Sequence, residues 1–515
     1  MTPLKTAFSF LLVSAISTNT EAQEYRIVDA GAVGDGKTLN TTAVQSTIDR
    51  CASAGGGTVV VPPGVFVTGT LRLRTHVTLH LENGAVLKGS DRLEDYRLGE
   101  TLVGLLFTQN EHNVAITGEG TIDGNGDTFM DLSTPKKIDS TGSAWTRQKG
   151  RFRKVESGMG DGPAVPKERP YQMIIFSNCR DVTLRDVHIT NSPFWTVHCA
   201  DCDGVVVSGV RIWCNLLVPN NDGIDFTSCS NVQMSDCDIR TGDDCIVLTG
   251  YDHHFDLPGY QRLRHPSENI VVTNCTLQSR SAAIRIGGFD QNPMRNYVFN
   301  NITITNSNRG IGIFARDQGS IENVLFTNIV IETRLHTGDW WGQGDPVHLS
   351  AVRLLQDVAP GTIRHVKFHN VICRSESGIT VFGTEESVIE DVTFDNVTLH
   401  MTDSPLNDIA GGNFDLRPVL DPKLSLFAHE MPGFYGQWVR DLRIRGFDLS
   451  WDPTPQPFFS HGMEITNFER VTIDDFQGTS APGNASVFPI LLRDGKGYEI
   501  RSEGTSVHMI DVKKK

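Results

Sequence analysis

Short apolar and polar positions alternate from Thr58 onward, in TVVVPPG, VTGTLRL, VTLHLENGAVLKG and NVAITGEGTIDG. Alternation with a period of two puts apolar side chains on one face of a strand, and turn residues break each run. A recurring unit then emerges, V-x-[apolar]-x-[Asp/Asn/Gly]-[apolar]-x-[apolar]. It begins at Val182, Val205, Val232, Ile270, Tyr297, Val324, Val366 and Val392, and more loosely at Val471. Successive starts up to Val392 differ by 23, 27, 38, 27, 27, 42 and 26 residues. Intervals in the twenties suit a solenoid, and the longer ones mark loops inserted into single coils. Each unit predicts two short strands with a polar residue at the bend, where Asn, Asp or Gly tolerates a tight corner. Stacking such units pairs each strand with the next coil and buries one continuous core. The expectation is an all-β parallel β-helix. Leucine-rich spacing is missing, and a β-sandwich would not give one repeating unit.

The flanks read differently. A short strand at Tyr25 to Val28 and the turn GAVGDG precede a helix expected from about Thr42 to Ala54, with Val44, Ile48 and Cys51 on one face. GGG at 55–57 ends it, and the helix is expected to cap the open first coil. The glycine-rich turn lacks the Lys-Ser/Thr of a phosphate-binding loop. Pro405 to Gln437 reads as a long excursion, and the charged stretch from Lys496 to Lys515 as a cover for the far end. Residues 1–22 have Lys5, an apolar run and a small Ala22, the pattern of a secretory signal. With no linker in view, residues 23–515 are expected to form one parallel β-helix domain, exported to a secreted or periplasmic location and monomeric.

The 515 residues carry a net charge of −15, which argues against a nucleic acid or an anionic membrane as partner. A polyanionic substrate remains compatible, since local arginines can hold one. The ten cysteines include no matched pair of CxxC motifs, so no zinc site is expected. Cys237 and Cys275 stand where other units have Val or Ile, which predicts buried thiols there.

The chemistry concentrates in NNDGIDFTSCSNVQMSDCDIRTGDD at 220–244. Asp222 lies 21 positions before Asp243 and its neighbour Asp244, about one coil. Residues one coil apart in neighbouring strands sit roughly 4.8 Å apart, so three carboxyls would share one patch. Like charges that close raise one another's proton affinity, letting one carboxyl stay protonated while another is ionised. Such a pair is what hydrolysis of a glycosidic bond needs. A single Asp would more simply cap a turn, and the triplet at coil spacing argues against that reading.

NSPFWTVH at 191–198, NNDGID at 220–225 and GDDC at 242–245 resemble glycoside hydrolase family 28, the polygalacturonase and rhamnogalacturonan hydrolase family. The resemblance implies a right-handed, pectin-lyase-like parallel β-helix that hydrolyses a pectin-like acidic polysaccharide or oligosaccharide with inversion, with no cofactor and no metal. It implies Asp243 as the general acid, Asp222 and Asp244 as the pair that holds and deprotonates water, and Asn220 as an orienting residue. It also implies a disulfide between Cys245 and Cys275.

Two family features are missing. Ala282 stands where the GHG histidine is expected, and Gly310, Ile311 and Gly312 stand where the family has the cations of its RIK motif. Arg285 and Arg316 are the candidate substitutes, because a guanidinium pairs with a carboxylate in a two-pronged fork. His253, His254 and His265 come from the inserted loop nearby. Trp195, Trp340 and Trp341 are candidates for stacking on sugar rings, and His198 for lining the cleft. The competing readings are a polysaccharide lyase, with calcium on the Asp cluster, and a β-helical glycan binder without catalysis.

Overall fold

A computed structural model describes residues 23–136, 144–155, 158–252, 263, 265–453, 456–502 and 504–514. The proposed signal at 1–22 and the histidines His253 and His254 lie outside the described residues. No helix among them is long and apolar enough to cross a membrane.

The chain winds as a parallel β-helix in which 33 strands of the described residues form one sheet. One coil consists of Ile174–Ser177, Arg180–Arg185 and His188–Thr190, and the next of Val197–Ala200, Asp203–Ser208 and Arg211–Trp213. Each strand pairs in parallel with its equivalent one coil on. The repeating unit of the sequence covers the second and third strands of each coil. The first strand escaped it, because VHCA, IDFT and IVLT are buried on both faces and show no alternation. From Met294–Ser307 onward the second and third strands run together as one long bent strand, as in Ile321–Thr333 and Ile363–Ser375.

Corners are made by polar residues in the left-handed region. Asn231, Asn269, Asn296 and Asn323 all have positive φ and stack one above another. Their side-chain amides bond coil to coil at 3.3, 3.1 and 3.2 Å. Asn tolerates this backbone and spends its amide on its neighbours, which explains its recurrence at the bends. Inside, one apolar cluster runs from Tyr25 to Leu492. It includes a stack of Phe299, Phe326, Phe368 and Phe394 with successive ring centroids 4.8, 4.9 and 4.8 Å apart.

The helix Thr41–Ser53 turns Val44, Ile48 and Cys51 onto the first coil. The far end departs from expectation. Residues Ile490–Arg501 and Val507–Lys513 are two further parallel strands that extend the solenoid. Among the described residues Val507–Lys513 pairs on one side only, and charged side chains on such a strand discourage pairing with another chain. Between Met401 and Phe434 the chain does leave the solenoid and forms the antiparallel pair Asn413–Asp415 and Leu426–Ala428.

The expected Cys245–Cys275 bridge is corrected: all ten cysteines are buried and free. Parallel stacking superposes only residues of equal register. Asp238 pairs with Thr276 and Ile246 with Ile284, so Cys275 stands beside Cys237. The Cys245 thiol instead contacts the Gln278 carbonyl at 3.2 Å.

Candidate active site

The register that builds the core also builds the site. Ile224 pairs with Val197 and Ile246, and Ile246 with Ile284. Two residues upstream, this places Trp195, Asp222, Asp244 and Ala282 in one column across four coils. Their backbones are joined by bonds from Thr196 N to Asp222 O and from Gly223 N to Asp244 O, both 2.8 Å. Two motif glycines permit the approach. A Cβ on Gly223 would stand 2.3 Å from the Cys245 carbonyl, and one on Gly242 would stand 2.2 Å from that of Val218. Asp222, Asp243 and Asp244 each place one carboxylate oxygen within 4.8 Å of the other two.

The three acids are held differently. The Asp243 carboxylate accepts from the backbone N–H groups of Asn220 and Asp244, both at 3.1 Å. Asp244 accepts from the Ala282 N–H at 2.8 Å and from Arg285 Nη1 at 3.3 Å. Asp222 is buried, and its Oδ1 has no hydrogen-bond partner among the described residues. Burial, and then the charge of Asp244, push the Asp243 carboxyl up to about 7. Burial followed by Asp243, Asp225 and Asp244 holds Asp222 well above the ordinary carboxyl range. The cluster therefore retains protons that isolated carboxyls release. A proton on Asp243 removes one repelling charge and eases ionisation of its neighbours, so the cluster can keep an acid and a base together.

These acids open on a cleft of about 650 Å³. Trp195, Asn220, Arg285, Trp340 and Trp341 line it with the acids, as do Lys136, Tyr251, Phe289, Asp339, Leu354 and Leu355. Arg285 donates to the Tyr251 hydroxyl at 2.8 Å and the Gly287 carbonyl at 3.0 Å, so three partners fix its fork. Trp340 is mostly buried with its indole N–H on the Asp161 carbonyl, whereas Trp341 is 38% exposed.

Two expected lining residues are elsewhere. Arg316 is fully buried, donating to the carbonyls of Pro418, Ser350 and Leu416. The excursion after Met401 covers it, and burial pushes its pKa down to about 9. His198 lies one layer too deep: it is buried, bonds the Thr227 hydroxyl at 3.0 Å, and supports the Trp195 ring edge-on. His265 is an exposed neighbour of Asp201.

Sequence reasoning missed Arg169. Its guanidinium donates to the Pro193 and Pro219 carbonyls and to Asn220 Oδ1, and it stacks on Phe194. It thereby fixes the turn whose Asn220 N–H meets Asp243. No local pattern marks it, since it lies outside the repeats and 51 residues from Asn220. Asp225 was also missed as an electrostatic element. It is buried with Oδ2 unpartnered among the described residues, and burial raises its proton affinity well above normal, Arg285 opposing.

A raised folded pKa contributes stability below the unfolded value near 4, which is lost as pH rises through the folded value. Asp225→Asn is therefore expected to stabilise the protein by about 1–3 kcal/mol at pH 8, with the gain fading toward pH 4. Urea midpoints at both pH values measure this, and a gain equal at both would refute it.

A parallel β-helix with a carboxylate-floored cleft is the class of protein that fold and site define. The family model for glycosyl hydrolases family 28 matches residues 51–410, and the chain belongs to that family. It is 32% identical over 294 residues to "Probable polygalacturonase" of Vitis vinifera, covering 53% of each chain. It is 28% identical over 309 residues to "Exo-poly-alpha-D-galacturonosidase" of Dickeya chrysanthemi, covering 53% of this chain and 49% of that one. The matches thus span about half the length of these relatives. An exopolygalacturonase structure from Thermotoga maritima superposes with TM-score 0.61 at 22% identity, covering 83% of this chain and 92% of the other. The family 28 exopolygalacturonase of Yersinia enterocolitica gives 0.63 at 20%, covering 88% and 79%. At these identities the likeness is one of fold, the right-handed parallel β-helix.

Proposed function

We propose that the protein hydrolyses glycosidic bonds in a pectin-like polysaccharide, outside the cytoplasm, after removal of residues 1–22. The observation that carries this is the convergence of Asp222, Asp243 and Asp244 on one cleft floor in a family 28 chain. The relatives' names, polygalacturonase and exo-poly-alpha-D-galacturonosidase, support the substrate class. Asp243, with a carboxyl that keeps its proton near neutral pH, protonates the departing oxygen. Asp222 and Asp244 hold water opposite, and Asp244, paired with Arg285, takes its proton. Family resemblance implies inversion, with two acids around a single water in place of the wider acid–base separation usual for inverting enzymes. Trp340, Trp341, Leu354 and Leu355 line the cleft, and the name of the relative exo-poly-alpha-D-galacturonosidase supports attack from a chain end.

The test is incubation with homogalacturonan, rhamnogalacturonan and other pectic polymers, following reducing ends, product size and anomer by NMR. Short products from chain ends, first appearing as the inverted anomer, are expected. Unsaturated products absorbing in the ultraviolet and lost on chelation would point to a lyase. No product from any polymer would overturn the hydrolase reading.

A further inference from the structure

The described lining of the cleft offers a sugar acid no uncommitted cation. Among its described lining residues, four carboxylates (Asp222, Asp243, Asp244 and Asp339) face two cations, Lys136 and Arg285. Arg285 is committed to Asp244, Tyr251 and Gly287. Lys136 Nζ stands 3.9 Å from Asp339, which Arg417 fixes from behind at 3.1 Å. Arg309 and Arg417 reach only a crevice of about 10 Å³ below the cleft, and Asp345 and Asp415 pair with them.

The position beside Arg285 on the next coil carries no cation either. Gly312 is the register partner of Arg285 on the next coil, and the Phe314 ring lies across it, 2.6 Å from where a Cβ would be. Phe314 also carries the Arg309 and Arg316 guanidinium groups against its ring, each 5.1 Å from the centroid. The cleft rim is apolar instead: Trp341 and Leu355 are 38% and 44% exposed.

Resting on the hydrolase reading above, we propose that the sugar unit seated against Trp341 and Leu355 is neutral, a pyranose with an apolar edge such as a 6-deoxyhexose, and that a uronate is disfavoured there. Stacking on the aromatic wall holds such a ring, whereas a uronate would bring a carboxylate to a cleft whose two described cations are already paired. The polymer cut is then one in which neutral units are linked to acidic ones or end the chain.

Calorimetry on full-length Asp243→Asn compares native oligogalacturonides, the same oligomers with carboxyls reduced to alcohols, and rhamnose-terminated pectic oligomers. At least one neutral-ended ligand is expected to bind about tenfold or more tighter than the native oligogalacturonide. Native binding should not weaken as salt rises, since no uncommitted cation draws its carboxylates. Trp341→Ala should weaken the neutral ligand about tenfold, and Leu355→Lys, at an exposed position, should move the preference toward the uronate. Equal or tighter binding of the native oligomer, weakening with salt, overturns the proposal, as does failure of every neutral ligand to bind. Because binding is read on an inactive variant, absence of hydrolysis by the wild type would sink the hydrolase reading while leaving this comparison decisive.

Discussion

Asp243→Asn lowers kcat by about 10²–10⁴-fold, the usual contribution of a positioned general acid, while oligosaccharide binding persists. The amide is nearly the size of the carboxyl and can keep the contact with the Asn220 N–H, yet it has no proton to give. The wild type's pH profile should carry the same signature. Asp243 must be protonated to act, and its carboxyl is pushed up to about 7. Activity is therefore retained below pH 7 and lost above it, about tenfold per pH unit on the alkaline limb. Steady-state kcat and kcat/KM from pH 4 to 9 measure this. An alkaline limb absent up to pH 9, or a variant of undiminished kcat, would remove Asp243 from the acid's role.

Arg285→Ala is expected to damage fold and activity together. Arg285 Nη1 is the cation facing Asp244, and both side chains are largely buried, 13% and 4% exposed. Removing one member of a buried pair costs about 3–5 kcal/mol, because the other charge stays buried without it. Urea unfolding at pH 8 should show that loss. Arg285 also opposes the rise of the Asp243 and Asp222 carboxyls, so its removal should move the alkaline limb of residual activity upward. Arg285→Lys should not restore the parent, since a single ammonium cannot reach Asp244, Tyr251 and Gly287 as a planar fork does. A Lys variant with parental rate and stability would show that charge alone matters there.

Much of the fold was legible because two strands of each coil alternate between an apolar core and solvent, and Asn or Asp marks the bend. The strand that carries the site was not: IDFT and IVLT are covered on both sides, so nothing in their pattern distinguishes a cleft floor from a core. The acids themselves were visible through their interval, since one coil of sequence is one step of register. Arg316 misled because it follows the site strand and looks like a cleft cation, while a covering segment about a hundred residues later supplies its carbonyl partners. Arg169 and Tyr251 were hidden for a related reason: their roles depend on what loops bring near, and loop placement leaves no periodic trace.

The most direct measurement is a crystal structure of Asp243→Asn with an uncut pectic oligosaccharide. The account predicts a glycosidic oxygen within about 2.6–3.2 Å of the residue 243 side chain, with an ordered water between Asp222 and Asp244 on the opposite face of the ring. An oligosaccharide lying along another face of the solenoid, or crossing the cleft with no glycosidic oxygen near residue 243, would contradict it.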